Sequence, residues 1–178
     1  MRPPFLKGTS LLILLLCPVG LWAQSSDLKT TQDLSPTEIQ KLKTQADALE
    51  DQSAQAIDDG DMDKGVGLMQ RSIDLDPSPM RHMIYGSILF GNGVSVFKNT
   101  DQEKGKDILH QAESQLLAAI AGFNPNRDQD YLSQCYFLLG EMYRNAFGDT
   151  AKAREYYEKA VNLNDYTGAK DALNKMSS

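Results

Sequence analysis

The sequence has little of the material from which metal sites and disulfide scaffolds are made. Its 178 residues include two cysteines, two histidines and one tryptophan. Metal cages in proteins draw on clusters of histidine and cysteine ligands, and small disulfide-stabilised domains are dense in cysteine. The fold must therefore be stabilised by packing. The 41% of apolar residues suffices, because a chain of this size can bury roughly 70% of its unfolded surface.

Positive charge is also in short supply. Eighteen lysines and arginines stand against 24 aspartates and glutamates, which gives a formal net charge of −6. The basic residues form no cluster, and a net-acidic chain repels a phosphate backbone. The composition predicts no nucleic-acid partner and no attraction to an anionic membrane surface, and it favours protein partners.

Long apolar runs are missing everywhere except near the N-terminus. Residues 11–16 are continuously apolar and follow Arg2 and Lys7, while Ala23 is a small residue before Gln24. The apolar stretch of residues 10–23 is shorter than the roughly 20 residues that span a bilayer. This pattern predicts a secretory signal peptide over residues 1–23, cleaved after Ala23. The protein is then exported, to the periplasm or out of the cell.

Two alternatives remain open for this segment. It can stay uncleaved as an N-terminal membrane anchor, or Cys17 can be the lipidation site of a bacterial lipoprotein, although Leu16 is larger than the residue usual before that cysteine. Cleavage after Ala23 removes Arg2 and Lys7 and no acidic residue, so the net charge changes from −6 to −8. It leaves Cys135 as the single thiol, and no internal disulfide can form.

The rest of the chain has the period of helices. Residues 24–34 are polar and aperiodic and are interpreted as a flexible leader to a domain over residues 35–178. Apolar residues then recur at helical spacing between capping and turn residues, and no segment alternates as a strand does. The sequence predicts an all-α fold. The first predicted helix runs from Ser35 to about Ile57, and the second runs from the turn at residues 58–63 to Pro77, where it ends. The third runs from Ser78 to Ile88 or on through Gly93, and the fourth, with a capping box formed by Thr100 and Glu103, runs from Thr100 to Phe123. The last three cover about residues 128–146, 150–163 and 166–176.

Consecutive helices of this kind form antiparallel pairs, about three in number, and the last pair shows how they pack. One helix presents large residues on a single stripe with Gly140 among them. The next presents alanines one above the other with Tyr157 between them as a knob. The residues assigned to this packing are Tyr136, Leu139, Gly140, Tyr143, Ala153, Tyr157 and Ala160.

These residues carry a resemblance to the tetratricopeptide repeat superfamily. The segment LLGEMYRNAFGDTAKAREYYEKAVNLN at 138–164 resembles the repeat closely, and GDMDKGVGLMQRSIDLDPSP at 60–79 resembles the second half of another copy. The resemblance covers about residues 46–165, and the last copy is also similar to Sel1-like repeats. Pro77 and Pro125 lie 48 residues apart, whereas the family repeats about every 34, so the middle copy carries an insertion.

The resemblance implies a fold and a place for function. It implies a short right-handed α-solenoid of stacked helix pairs, closed by a C-terminal capping helix, with a concave groove lined by the first helix of each pair. Flexible methionines, an aromatic ring and a cation there suit a peptide or an amphipathic helix. The groove residues are expected to be Met80, Met83, Ser87, Phe90, Gln134, Phe137, Glu141 and Arg144. The alternative, for the methionines and Phe90, is that they contact the neighbouring repeat as core residues.

No residue pattern selects an enzyme active site, a metal site or a cofactor. Asp59, Asp61 and Asp63 alternate as in a calcium loop, but Lys64 and Gln70 stand where that loop needs glycine and glutamate. The sequence therefore predicts no cofactor, no metal and no catalytic residue. It predicts an exported adaptor or scaffold that binds a protein segment in its groove. Two alternatives are a helical-repeat subunit of an envelope enzyme complex and a scaffold that assembles with copies of itself.

Overall fold

The structure is a computed structural model that describes residues 34–177. The predicted signal peptide, its two alternatives and nearly all of the predicted leader lie outside the described residues. In residues 34–177 every regular element is helical, so the predicted all-α class is confirmed. The helices are α1 (Pro36–Asp58), α2 (Met62–Leu75), α3 (Pro79–Asn99), α4 (Gln102–Gly122), α5 (Gln129–Met142), a π-helix (Tyr143–Phe147), α6 (Thr150–Asn164) and α7 (Thr167–Ser177).

Short polar side chains start most of these helices. The carboxylates of Asp61 and Asp149 accept hydrogen bonds from backbone N–H groups in the first turns of α2 and α6, and the hydroxyl of Ser78 does the same for α3. Such caps pair N–H groups that a helix leaves without an internal partner. The capping box predicted at Thr100 is wrong. Thr100 ends α3, and Asp101 caps α4 by accepting from the N–H groups of Glu103 and Lys104 at 3.0 and 3.1 Å.

Helix α3 continues without a break through Gly91 and Gly93, where the sequence does not decide whether the helix ends. A Cβ built on Gly93 would stand 2.8 Å from Cγ of Leu109 on α4, and one built on Gly86 would stand 2.8 Å from Cγ of Leu116. These glycines let two helix backbones approach each other, and they do not form a turn. Both α3 and α4 are 21 residues long, so the extra residues between Pro77 and Pro125 lengthen the two helices of this pair.

The helices pack in consecutive antiparallel pairs. In the first pair, Ser53 of α1 donates to the carbonyl of Gly65 on α2, and Ser72 of α2 donates to the carbonyl of Ala46. Helices α3 and α4 and helices α5 and α6 form pairs of the same kind. In all three pairs, residues later in the first helix contact residues earlier in the second, so the two helices of each pair are antiparallel. Pairs of this kind are the units of helical-repeat proteins.

A buried arginine joins the first pair to the second. Arg81 of α3 is 5% exposed, and its guanidinium forms ion pairs with Asp47 of α1 and with Asp76 at the end of α2. Its Nε also donates to the hydroxyl of Ser72 at 3.1 Å and lies 3.4 Å from Glu50. A buried cation requires such partners, because an unpaired charge is costly away from water.

The fifth helix differs from its prediction at its C-terminal end. It is α-helical only to Met142, and Tyr143–Phe147 form a π-helix before Gly148, which has a positive φ of 74°. A π-turn is wider than an α-turn and shifts the angular register of the residues after it. None of the helices within residues 34–177 is both long enough and apolar enough to span a membrane.

Candidate functional site

Half of the residues predicted to line a groove are packed into the body of the protein. Met83 is 7% exposed and belongs to the core, and Met80 packs against that core. The hydroxyl of Ser87 donates to the carbonyl of Met83 one turn earlier on the same helix. Phe137 lies against Tyr157 and Tyr166, with ring centroids 6.1 and 5.3 Å away, so the start of α7 lies over it. Side chains held in this way contribute to packing between helices.

Three further predicted groove residues are half-buried on α5 and the π-helix. Glu141 accepts a hydrogen bond from the hydroxyl of Tyr157 at 2.6 Å and another from the amide of Asn145 at 3.0 Å. The positive charge of Arg144 acts on the same hydroxyl and favours its ionised form. Burial and the bond to Glu141 raise the pKa of Tyr157, so its phenol stays protonated. Gln134 is half-buried on α5.

The residues assigned to packing in the last pair all lie at the contact between its helices or beside it. Gly140 faces the ring of Tyr157, and a Cβ built on it would stand 2.5 Å from Cε1 of that ring. Tyr136 is half-buried against the core. The other members of the set are buried: Leu139, Tyr143, Ala153, Tyr157 and Ala160.

Two of the predicted groove residues line the same pocket. Phe90 comes from α3 and Glu141 from α5, so the pocket lies between the first helix of the second pair and the first helix of the third. Its volume is about 80 Å³, several times the roughly 10–15 Å³ that a single water needs. The complete lining consists of Phe90, Val94, Phe97, Lys98, Leu109, Glu141, Met142, Asn145 and Ala146. This set is called the inter-pair pocket below.

The wall of the inter-pair pocket is apolar and its rim is polar. Phe90, Val94 and Phe97 follow one another at helical spacing along α3, and buried Leu109 lies below them. At the rim, Lys98 and Asn145 are exposed. An apolar depression with a few polar groups around it is the usual composition of a site that takes an apolar side chain of a partner.

Most residues of this pocket are absent from the predicted groove. The predicted stripe on α3 ends at Phe90, although Val94 and Phe97 continue the same spacing of three and four residues, and that continuation is the signal that the sequence offers. Asn145 and Ala146 follow Glu141 and Met142 by four residues, so helical spacing from Glu141 is the signal available there as well.

A cluster of polar and aromatic side chains holds the π-helix in place. The hydroxyl of Tyr143 donates to Glu113 of α4, and Lys152 of α6 donates to that same hydroxyl. The ring of His110 stacks on Phe147 with centroids 4.5 Å apart. Burial, followed by the hydrogen bond to Glu113, raises the pKa of Tyr143. The π-helix is therefore held against α4 and α6, and it contributes Asn145 and Ala146 to one wall of the inter-pair pocket.

The thiol of Cys135 and the imidazole of His82, two groups that can be reactive in other proteins, are held by burial or by a hydrogen bond. Burial raises the pKa of the Cys135 thiol to about 12, which keeps it in the unreactive protonated form at neutral pH. His82 is half-buried, with its Nδ1 2.7 Å from Oε1 of Gln115. Within the described part of the chain, no three histidine, cysteine, aspartate or glutamate side chains are grouped closely enough to hold a metal ion.

Comparison with known proteins adds no family to this description. No protein-family model matches the chain, and no curated protein sequence matches it. The resemblance to tetratricopeptide repeats therefore rests on the sequence motifs alone.

Proposed function

We propose that this chain is an exported, non-enzymatic adaptor of the tetratricopeptide-repeat kind, which captures a segment of a partner protein. Three antiparallel helix pairs support the proposal, as do the glycines where backbones approach and the short helix α7 after the last pair. In this reading the pairs stack as a right-handed solenoid and α7 is its C-terminal cap. The acidic charge and the predicted signal peptide favour a protein partner in the periplasm or outside the cell.

The observation that carries the proposal is the inter-pair pocket. It lies between α3 and α5, where the resemblance implies a binding groove, and its apolar wall opens at a polar rim. An apolar side chain of a partner would fill the pocket and exclude water from the apolar wall. Burial of apolar surface contributes about 25 cal/mol per Å², and a few such anchors carry most of the affinity of an interface.

The rim indicates what lies next to that anchor. Lys98 is exposed in the last turn of α3, and Asn145 is exposed on the π-helix. The ammonium of Lys98 would pair with a carboxylate of the partner. The side-chain oxygen of Asn145, whose NH₂ group donates to Glu141, would accept a hydrogen bond from the partner's backbone. The preferred occupant is a segment with a branched or aromatic side chain beside an aspartate or glutamate.

A photo-crosslinking experiment tests this function. A photoreactive residue is placed at Lys98, on the rim, and separately at Arg127, an exposed position in the loop before α5. We expect one defined protein adduct in intact cells from position 98 and none from position 127. Ala146→Leu fills the pocket from the π-helix and should lower the yield of the adduct about tenfold, which corresponds to about 1.4 kcal/mol.

The matched control is Ala151→Leu, which adds the same side chain at an exposed position of α6 away from the pocket. It should leave the adduct unchanged. The proposal is wrong if position 127 gives the same adduct as position 98, or if Ala146→Leu leaves the yield as it was while the helicity is preserved.

A further inference from the structure

The outer face of the first helix pair carries a second depression, far from the inter-pair pocket in the chain. It has a volume of about 440 Å³ and is lined by Gln45, Ala48, Leu49, Gln52, Arg71 and Leu75. A neighbouring depression of about 250 Å³ shares three of these residues and adds Asp74. Together they form a continuous surface across α1 and α2, called the first-pair face below.

The α1 part of the first-pair face is directed away from the second pair. On α1, Asp47 and Glu50 lie towards Arg81 of α3, whereas Ala48 and Gln52 occupy a different side of the helix and are exposed. The last pair is covered differently, because the start of α7 packs over Phe137. In residues 34–177 nothing comparable covers the first-pair face, and its two leucines are only half-buried.

The first-pair face carries few charges. It contains leucine, alanine and glutamine, one arginine and one aspartate, and neither lysine nor glutamate. The core of an interface is depleted in charged residues relative to the remaining protein surface. The first-pair face differs in this respect from the exposed sides of α4 and α6, which carry several lysines and glutamates.

Its charges are arranged so that the surface is complementary to itself. Arg71 and Asp74 lie one turn apart on α2 and line the smaller depression together with the half-buried Leu75 and Leu49. The described residues give Arg71 no ion pair, and Asp74 accepts only a hydrogen bond from Gln70 on its own helix. A two-fold axis can place the α2 helices of two copies antiparallel to each other. Arg71 of each copy then lies beside Asp74 of the other copy, which gives two ion pairs per dimer.

We propose that the first-pair face joins two copies of this chain in a two-fold symmetric dimer, with the leucines at its centre and the Arg71–Asp74 pairs on either side. The inference does not depend on the function of the inter-pair pocket. It gives the adaptor two pockets per assembly, one in each copy.

The test measures the mass of the protein in solution. The complete sequence is expressed and purified as the host processes it, and its mass is determined by light scattering and sedimentation. We expect twice the mass of one chain. Arg71→Asp and Asp74→Arg should each give the mass of a single chain, because like charges then meet across the axis. The double variant R71D/D74R should restore the doubled mass.

Ala48→Glu provides a second, independent variant. Ala48 is exposed on α1, so glutamate there leaves the monomer intact but places two charges at the centre of the dimer, and the mass should halve. Ala54→Glu is the matched control on another side of the same helix and should leave the mass doubled. A single-chain mass for the unchanged protein overturns the inference, as does a doubled mass for A48E. Failure of the double variant to restore the dimer, with helicity preserved, also overturns it.

Discussion

At the scale of single residues, burial decides what a reactive group can do. Cys135 lies on α5 and is completely buried. Its pKa rises from an ordinary value of 9.0 to about 12 because burial disfavours the thiolate. A nearby residue illustrates the same effect, since the phenol of Tyr157 is kept protonated by burial and by its bond to Glu141. Both groups serve as packing elements.

We expect Cys135 to resist alkylation. At pH 8 the native protein should react with iodoacetamide at Cys135 at least about a hundredfold more slowly than the urea-unfolded chain, because reaction requires an exposed thiolate. Quantification of the Cys135 peptide by mass spectrometry measures this difference. Equal rates in the two states would contradict the burial of this residue.

The same shift makes stability depend on pH in a defined window. Between pH 9 and about 12 the unfolded chain loses the thiol proton, while the folded chain retains it. The folded state then binds more protons, so the contribution of this residue to stability falls as the pH rises through that window and is complete below it. The variant Cys135→Ala lacks this contribution and should show a shallower loss of stability over the same range.

At the scale of helices, glycine sets how closely partners approach. Gly140 faces the ring of Tyr157, whereas a Cβ built on Gly91 would meet nothing within 4 Å. Both residues lie in helices and have negative φ, so alanine suits both backbones. What distinguishes them is the neighbouring helix. The pair is a matched test of the packing.

Gly140→Ala should lower the free energy of unfolding by about 2 kcal/mol, because the ring of Tyr157 has to move in a filled core. Gly91→Ala should raise it by up to about 1 kcal/mol through its higher helix propensity. Urea denaturation followed by circular dichroism measures both changes. Equal effects of the two substitutions would mean that α5 and α6 do not pack as described.

At the scale of the whole molecule, Arg81 connects the first helix pair to the second by ion pairs, beside the apolar contacts of α2 with α3. It joins Asp47 on α1 and Asp76 after α2 to the second pair. Two of its carboxylate partners are partly exposed, so water can solvate these carboxylates when the arginine is removed. The main effect of removing Arg81 is then the loss of the ion pairs that join the first helix pair to the second.

Arg81→Met should therefore loosen the first pair selectively. We expect backbone amides of α1 and α2 to exchange with deuterium about tenfold faster or more, while those of α5 and α6 keep their rates. Hydrogen–deuterium exchange with mass spectrometry resolves the two regions. Arg81→Lys keeps a charge but lacks the planar group that reaches several partners at once, and it should give an intermediate result. Uniform exchange in every helix would contradict the role given to Arg81.

Local sequence patterns predict the helices well and the residues of the inter-pair pocket only in part. Helix starts at Pro36, Pro79 and Thr150 follow from capping residues that act within one turn. Phe90 and Glu141 were placed in the groove by their spacing, and both line the inter-pair pocket. Phe137 had the same spacing, yet α7 packs over it, and no local pattern announces which helix a later segment will cover.

The all-α class, the pairing of helices and the close approach at Gly140 follow from the sequence, because they depend on periodicity and on contacts between helices that are neighbours in the chain. The tertiary structure alone decided the burial of Arg81, the π-helix at Tyr143–Phe147 and the exposure of the first-pair face. Each of these depends on groups far apart in sequence, whose burial and charge are fixed only when the helices meet.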